Sequence, residues 1–197
     1  MKIDKEIQKE HSNIQSQIFY FLSKAFCYPW KSPDENGTLD AVLKLAADLG
    51  INPKQPIEID EKTAQAEYTR LFVNAPTGVP CPPYSSVYLF GSGILMQKGH
   101  EEAFSFYKQA GITPDTGSEP EDHISTELAF VAHLIEQNNL DLLSRFLSQH
   151  LLKWYPTFLK RLASASPHPY YELLGRLTWL FLQNLSQEDS HGQTTVS

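Results

Sequence analysis

The chain has 197 residues, 41% of them apolar, and carries a net charge of −7 from 23 acids and 16 bases. That length and apolar content suit one ordinary folded domain with a sizeable core, and they exclude a disordered or collagen-like chain. The acidic balance argues against nucleic acid as a partner, since phosphate contacts need clustered Lys and Arg, and no apolar run approaches the roughly 20 residues of a membrane-spanning helix, so no stable membrane insertion is expected.

The opening residues MKIDKEIQKEHS mix both charges and lack the apolar run and cleavage site of a secretory signal, so the expectation is a cytoplasmic protein. Ile3, Ile7, Ile14, Ile18, Phe21 or Leu22, and Ala25 recur at steps of three, four and seven, which predicts a long first helix with these residues on one face. The segment Tyr28-Pro29-Trp30 ends it, because proline disfavours helical geometry in the residue before it. Leu39, Val42, Leu43, Ala46 and Leu49 mark a second helix stopped by Gly50, and residues Ile59 to Val73 a third. Phe104, Tyr107 and Ala110 with Gly111 predict a short fourth, and Ile124, Leu128, Val131 and Ile135 a fifth. Leu147, Leu151, Trp154 or Tyr155, Phe158 and Leu162 predict a sixth, with Pro156 inside it, and Tyr170, Leu174, Leu177 and Phe181 the last. No strand alternation is evident, so the reading is all-α: a single-domain helical bundle of about seven or more helices over residues 1–185, followed by a polar, frayed tail at 186–197. Cys27 and Cys81 belong to no C-x-x-C pair and read as small buried hydrophobes.

Two segments break the helical pattern. Asn74 to Pro83, NAPTGVPCPP, has four prolines in ten residues, which hold the chain extended and present Tyr84-Ser85-Ser86-Val87-Tyr88. Gly111 to His123, GITPDTGSEPEDH, is an acidic loop leading into the fifth helix. Ser118 with Glu121 fits a capping box there, with Glu119 or Asp122 as alternative caps. Between Lys108 and Arg145 stand Asp115, Glu119, Glu121, Asp122, Glu127, Glu136 and Asp141 with no Lys or Arg among them, and these seven acids equal the whole net charge. A cationic partner is one reading of this window, and a solvated acidic loop is the other.

Enzymatic patterns are weak. His123 and Glu127 are four apart, but H-E-x-x-H is absent, so no metal site is expected. Gly91-Ser92-Gly93 matches no phosphate-binding loop, and Ser85 and Ser86 lack G-x-S-x-G context. No cofactor is expected.

The motifs Tyr68-x-x-Leu71-Phe72, Pro82-Pro83-Tyr84-Ser85-Ser86-Val87-Tyr88 and Glu119-Pro120-Glu121-Asp122-His123-Ile124-x-x-Glu127-Leu128, in this order and spacing, resemble the TorD/DmsD family of redox-enzyme maturation chaperones. Phe146-Leu147-x-x-His150-Leu151-x-x-Trp154-x-Pro156-x-Phe158 and Tyr170-Tyr171 extend the resemblance, which covers residues 14 to 182. It implies an all-helical chaperone, not an enzyme, that binds the twin-arginine signal peptide and the apo form of a molybdenum-cofactor reductase of the dimethyl sulfoxide or trimethylamine N-oxide type. Such a chaperone prevents premature export and assists cofactor insertion. An assembly chaperone for a non-exported molybdoenzyme, such as nitrate reductase, is the alternative. The family's peptide-binding positions fall on Leu71, Phe72, Pro83, Tyr84, Ser86, Asp122 and His123, with Tyr84 standing where some members carry tryptophan.

A twin-arginine signal joins cations to an apolar segment, so a receptor needs carboxylates beside an apolar groove. On that logic Glu119, Glu121 and Asp122 engage the arginines, and Leu71, Phe72, Tyr84 and Tyr88 receive the apolar segment. His123 orients the loop or bonds peptide backbone. A monomer is the default, with a domain-swapped dimer hinged near residues 111–121 the alternative.

Overall fold

The structure is a computed structural model that describes residues 2–53, 55–76, 78–89, 98–114 and 120–192; within the first and last helices the side chains of residues 2–8 and 188–192, and that of Lys98, are not described. The fold is all-α, as the periodicity predicts. Among the described residues no helix is long and apolar enough to cross a membrane. The helices in chain order are α1 (Lys2–Ala25), α2 (Thr38–Asp48), α3 (Glu61–Tyr68), α4 (Ser85–Tyr88), α5 (Lys98–Gln109), α6 (Ile124–Glu136), α7 (Leu140–Phe146), α8 (Leu152–Ser164) and α9 (Pro169–Gly192). A wider π turn, Thr69–Val73, follows α3, and another, Leu147–Leu151, joins α7 to α8. Contacts divide the chain into two compact units. The first comprises Met1–Phe26, Tyr84–Trp154 and Asn184–Ser197, and the second Cys27–Pro83 and Tyr155–Gln183.

In the first unit α1 packs along α6. The buried face of α1 carries Ser16, Phe19, Leu22, Ser23 and Ala25, with Phe26 buried just beyond its end, while Ile14 is half exposed. Leu22 and Ala25 lie on it as expected, Ile14 does not and Ile18 is only partly covered, while the side chains of Ile3 and Ile7 lie outside the described residues. Two serines on the buried face keep that side of the helix slim, so packing and not the hydrophobic count alone selected it. Helix α6 is enclosed on most sides, with Phe130, Ala132 and Leu134 buried beside the expected stripe of Ile124, Leu128, Val131 and Ile135, as befits a central helix. Phe130 meets Tyr107 of α5 and Phe146 of α7 edge-on at 4.7 and 4.9 Å, a favoured aromatic geometry.

Phe146, His150 and Trp154 are all fully buried although they advance by four residues, a spacing that drifts around a regular helix by about 40° per step. The wide turn at Leu147–Leu151 takes up that drift. Helical structure therefore begins at Leu140, earlier than the leucine stripe suggested, and α8 runs through Pro156.

The second unit is built on aromatic rings. Tyr68 and Phe72 meet edge-on at 5.0 Å, and Phe72 meets Tyr171 at 5.7 Å. The Tyr171 hydroxyl donates to the Ala64 carbonyl and the Tyr155 hydroxyl to the Gly175 carbonyl, so the polar tips of both buried rings are satisfied. The proline-rich loop is anchored through its backbone. Cys81 N–H donates to the Leu71 carbonyl at 3.1 Å, and Arg161 donates to the Pro80 carbonyl at 2.8 Å. Cys81 is buried, which pushes its thiol up to about 12, whereas Cys27 is exposed, because α1 ends two residues before it.

The predicted stop at Gly50 is present. Gly50 has φ 73°, its N–H donates to the Ala47 carbonyl, and Ile51 N–H donates to the Ala46 carbonyl, a Schellman closure that needs a residue comfortable at positive φ. Helix α9 is continuous to Gly192, into the polar stretch expected as a tail; residues 193–197 lie outside the described residues.

Candidate functional site

The two segments that break the helical pattern are joined in the first unit. Tyr84 and His123 pair as an isolated antiparallel bridge, and Ser85 N–H donates to the Asp122 carbonyl at 3.0 Å. Ser86 N–H donates to Asp122 Oδ2 at 2.9 Å. The first N–H groups of a helix have no partner within it, and Tyr84, in the cap position of α4, offers no side-chain acceptor. Asp122 supplies that cap from the other segment, 36 residues along the chain. Its side chain is fully buried.

His123 closes α6 itself. Its Nδ1 accepts from Ser125 N–H at 3.1 Å and lies 2.6 Å from Ser125 Oγ. The helix thus begins at Ile124, and His123 takes the capping role expected of Ser118, Glu119 or Asp122; an imidazole nitrogen serves as well as an oxygen when it points at the first turn. Residues 115–119, Glu119 among them, lie outside the described residues. The Tyr84 ring meets the His123 ring edge-on at 5.1 Å.

Helix α5 completes the surroundings. A Cβ on Gly99 would stand 2.7 Å from Ser86 Cα, so only glycine lets the first turn of α5 lie this close to the α4 backbone. The Tyr107 hydroxyl donates to the Glu121 carbonyl at 2.8 Å. His100 Nδ1 lies 3.4 Å from Glu121 Oε2 and 3.8 Å from Asp122 Oδ1.

A second polar group lies buried in the same unit. Glu127 Oε1 is 2.9 Å from His150 Nε2, and Trp154 Nε1 donates to Glu127 Oε2 at 2.9 Å. Glu102 Oε2 stands 3.4 Å from His150 Nδ1. Burial pushes the Glu127 carboxyl up, against the pull of the His150 charge and its bonds to His150, Ser85 and Trp154. Burial alone would lower the His150 imidazole, but Glu127 and Glu102 outweigh it and raise it to about 9. His150 therefore stands between two acidic side chains and holds its proton more tightly than an ordinary imidazole. Tyr88 stacks on Trp154 at 5.5 Å, which ties this buried group to α4. His123 and Glu127, paired in sequence as conceivable metal ligands, are committed to different partners.

Of the residues singled out from the sequence, Tyr84, Ser86, Tyr88, Glu121, Asp122 and His123 thus gather in the first unit. Tyr84, Tyr88 and Glu121 are part-exposed, and Ser86, Asp122 and His123 are buried. Leu71, Phe72 and Pro83 belong to the second unit. There Leu71 and Phe72 are buried, Phe72 in the aromatic cluster and Leu71 with its carbonyl bonded to Cys81. The sequence reading missed Gly99, His100 and the partnership of Glu127 with His150 and Trp154. The last three stood in the quoted motifs, four residues apart or more than twenty, and only their appearance in one motif set hinted that they meet.

Residues 22–160, well over half of the chain, match the family described as nitrate reductase delta subunit. The chain belongs to that family. Its curated members similar to this chain carry chaperone names, which identifies the TorD/DmsD branch of redox-enzyme maturation chaperones. The probable Tat proofreading chaperone DmsD of Haemophilus influenzae is 36% identical over 132 residues, covering 64% of this chain and 61% of the relative. The chaperone protein TorD of Vibrio cholerae is 32% identical over 121 residues, covering 55% and 53%. The chain thus spans about three fifths of the length of the first of these relatives. A solved structure from Archaeoglobus fulgidus, described as a candidate redox enzyme maturation protein, is similar with a TM-score of 0.58 and 30% identity, over 86% of this chain and 93% of that one.

Proposed function

We propose that this chain is a maturation chaperone that binds the twin-arginine signal peptide of a molybdenum-cofactor reductase, of the dimethyl sulfoxide or trimethylamine N-oxide type, holds back its export and assists cofactor insertion. Membership of a family whose relatives are named Tat proofreading chaperones supports the class of activity. The observation that carries the recognition step is the Asp122 carboxylate. One oxygen is fixed by Ser86 N–H, and the other, buried, lies 3.8 Å from the part-exposed His100, whose ring also stands 3.4 Å from the part-exposed Glu121. Two neighbouring carboxylates suit a guanidinium, which donates several N–H bonds in a planar fork. Tyr84 and Tyr88, part-exposed on the segment that Asp122 caps, offer aromatic surface to the apolar part of the peptide.

The decisive experiment is calorimetric titration of the chain with the twin-arginine signal peptide of a co-encoded molybdoenzyme, beside a peptide with both arginines changed to glutamine. Tight binding lost in the control supports the reading. Equal binding of both peptides would assign recognition to the apolar segment. Binding of neither would favour the second reading, a chaperone of a non-exported molybdoenzyme, to which the family's description as nitrate reductase delta subunit lends weight.

A further inference from the structure

The space between the two carboxylates is already occupied. Both Asp122 Oδ1 and His100 Nδ1 are buried atoms with no hydrogen-bond partner among the described residues, although the imidazole nitrogen stands 3.4 Å from Glu121 Oε2 and 3.8 Å from Asp122 Oδ1. A buried carboxylate oxygen left without a donor is costly, of the order of 1 to 3 kcal/mol, and natural structures keep such groups where strain, a functional role, or a bound water or ion accounts for them. Ser86 Oγ nearby is likewise buried with no partner among the described residues. The His100 ring does not seal the spot firmly. It lies parallel to Phe104 one turn along α5, and its side chain is 24% exposed where that of Asp122 is 0%. The imidazole is therefore the more exposed of the two groups, held by its stacking on Phe104 and by no hydrogen bond from Nδ1.

We propose that His100 is an internal stand-in for a ligand guanidinium: an incoming arginine displaces the His100 ring and donates to Asp122 Oδ1 and Glu121 Oε2 together. This rests on the arginine-recognition reading above and adds to it the residue that gates the seat. The chemistry favours the exchange. An imidazole nitrogen has one donor to give and reaches neither acid at bonding geometry, whereas the guanidinium fork offers five N–H groups and can serve both. A lysine ammonium, a compact and strongly hydrated charge, gains less from a seat with two separated acceptors. Because the seat is open only while the ring is out, the apparent affinity for arginine is lowered by the fraction of time the ring is in.

The test is an NMR titration of the full chain with arginyl-arginine amide, with lysyl-lysine amide as the control, on the wild type, His100→Ala, His100→Gln and His100→Arg, each checked for a wild-type thermal transition. His100→Ala should bind the arginine dipeptide about threefold or more tighter, because the competing ring is gone. His100→Arg, which fills the seat from within, should bind it about tenfold or more weaker, and His100→Gln should fall between. A side chain that merely supported the fold would weaken binding in all three variants, and that outcome, or an unchanged affinity in His100→Ala, overturns the proposal. Titrating the wild type with the full signal peptide separates the two levels. If that peptide fails to bind while the dipeptide series keeps its order, the signal-peptide reading falls and the guanidinium seat stands; if it binds and the series shows no order, the reverse holds.

Discussion

Asp122 has two oxygens with different work, and substitutions can separate them. Oδ2 caps α4, which an asparagine carbonyl can still do, while Oδ1 is the acceptor whose negative charge faces His100 and Glu121. Asp122→Asn should therefore lower affinity for the twin-arginine peptide about tenfold, the equivalent of about 1.4 kcal/mol, with stability little changed. Asp122→Ala removes the cap as well and should in addition cost about 0.5 to 2 kcal/mol in chemical denaturation. The acidic window in the sequence pointed to this residue, but not to the division of labour between its oxygens.

His150 gives a second prediction at the scale of a single group. Its folded value, raised to about 9, lies above the ordinary value near 6.5, so the folded state holds its proton more tightly than the unfolded chain does. The resulting stabilisation is fully present below about pH 6.5 and is lost as the pH rises through about 9. The thermal transition of the wild type should fall over that interval, and His150→Gln, which has no proton to lose, should show a flatter profile from a lower starting point.

At the scale of elements, the close approach of α5 to α4 depends on Gly99. A methyl group there would meet Ser86 backbone atoms at 2.7 and 2.9 Å, and backbone cannot swing aside as a side-chain tip can. Gly99→Ala should cost about 1 to 3 kcal/mol and, by shifting α4 against Asp122, weaken peptide binding as well. Gly175 is the useful contrast, because an added Cβ there meets side-chain atoms of Leu162 and Leu159, which can rotate. Elements were also where sequence reading did best. Periodicity located α2, α5, α6 and the cap at Gly50, since these depend on residues within a few positions of one another. It placed Leu22 and Ala25 on the buried face of α1 but chose Ile14 in place of Ser16 and Phe19, and it missed the start of α7, because those choices belong to the helices packed against them.

For the molecule as a whole, the net charge of −7 arises in the stretch that contains Glu121, Asp122 and Glu127. A cationic peptide should be drawn to that field, so its affinity should fall as salt is raised from about 0.05 to 0.5 M, across which the screening length shrinks from above 10 Å to a few ångströms. Titrations with the glutamine control peptide should show a much smaller salt dependence. Equal dependence for both peptides would mean that the acidic stretch does not meet the arginines.

The sequence by itself determined the all-helical class, the two segments that interrupt it, the concentration of acid beside one of them, and a motif set specific enough to point to the family. All of these are written in local spacing or in composition. Which carboxylate is enclosed and which is open, that Asp122 caps a helix 36 residues earlier in the chain, that His100 stands in front of it, and that Glu127 meets His150 and Trp154 were decided only by tertiary structure. The physical reason is that hydrogen bonds and burial depend on distances in space, and packing brings together residues whose separation along the chain carries no signal of their partnership.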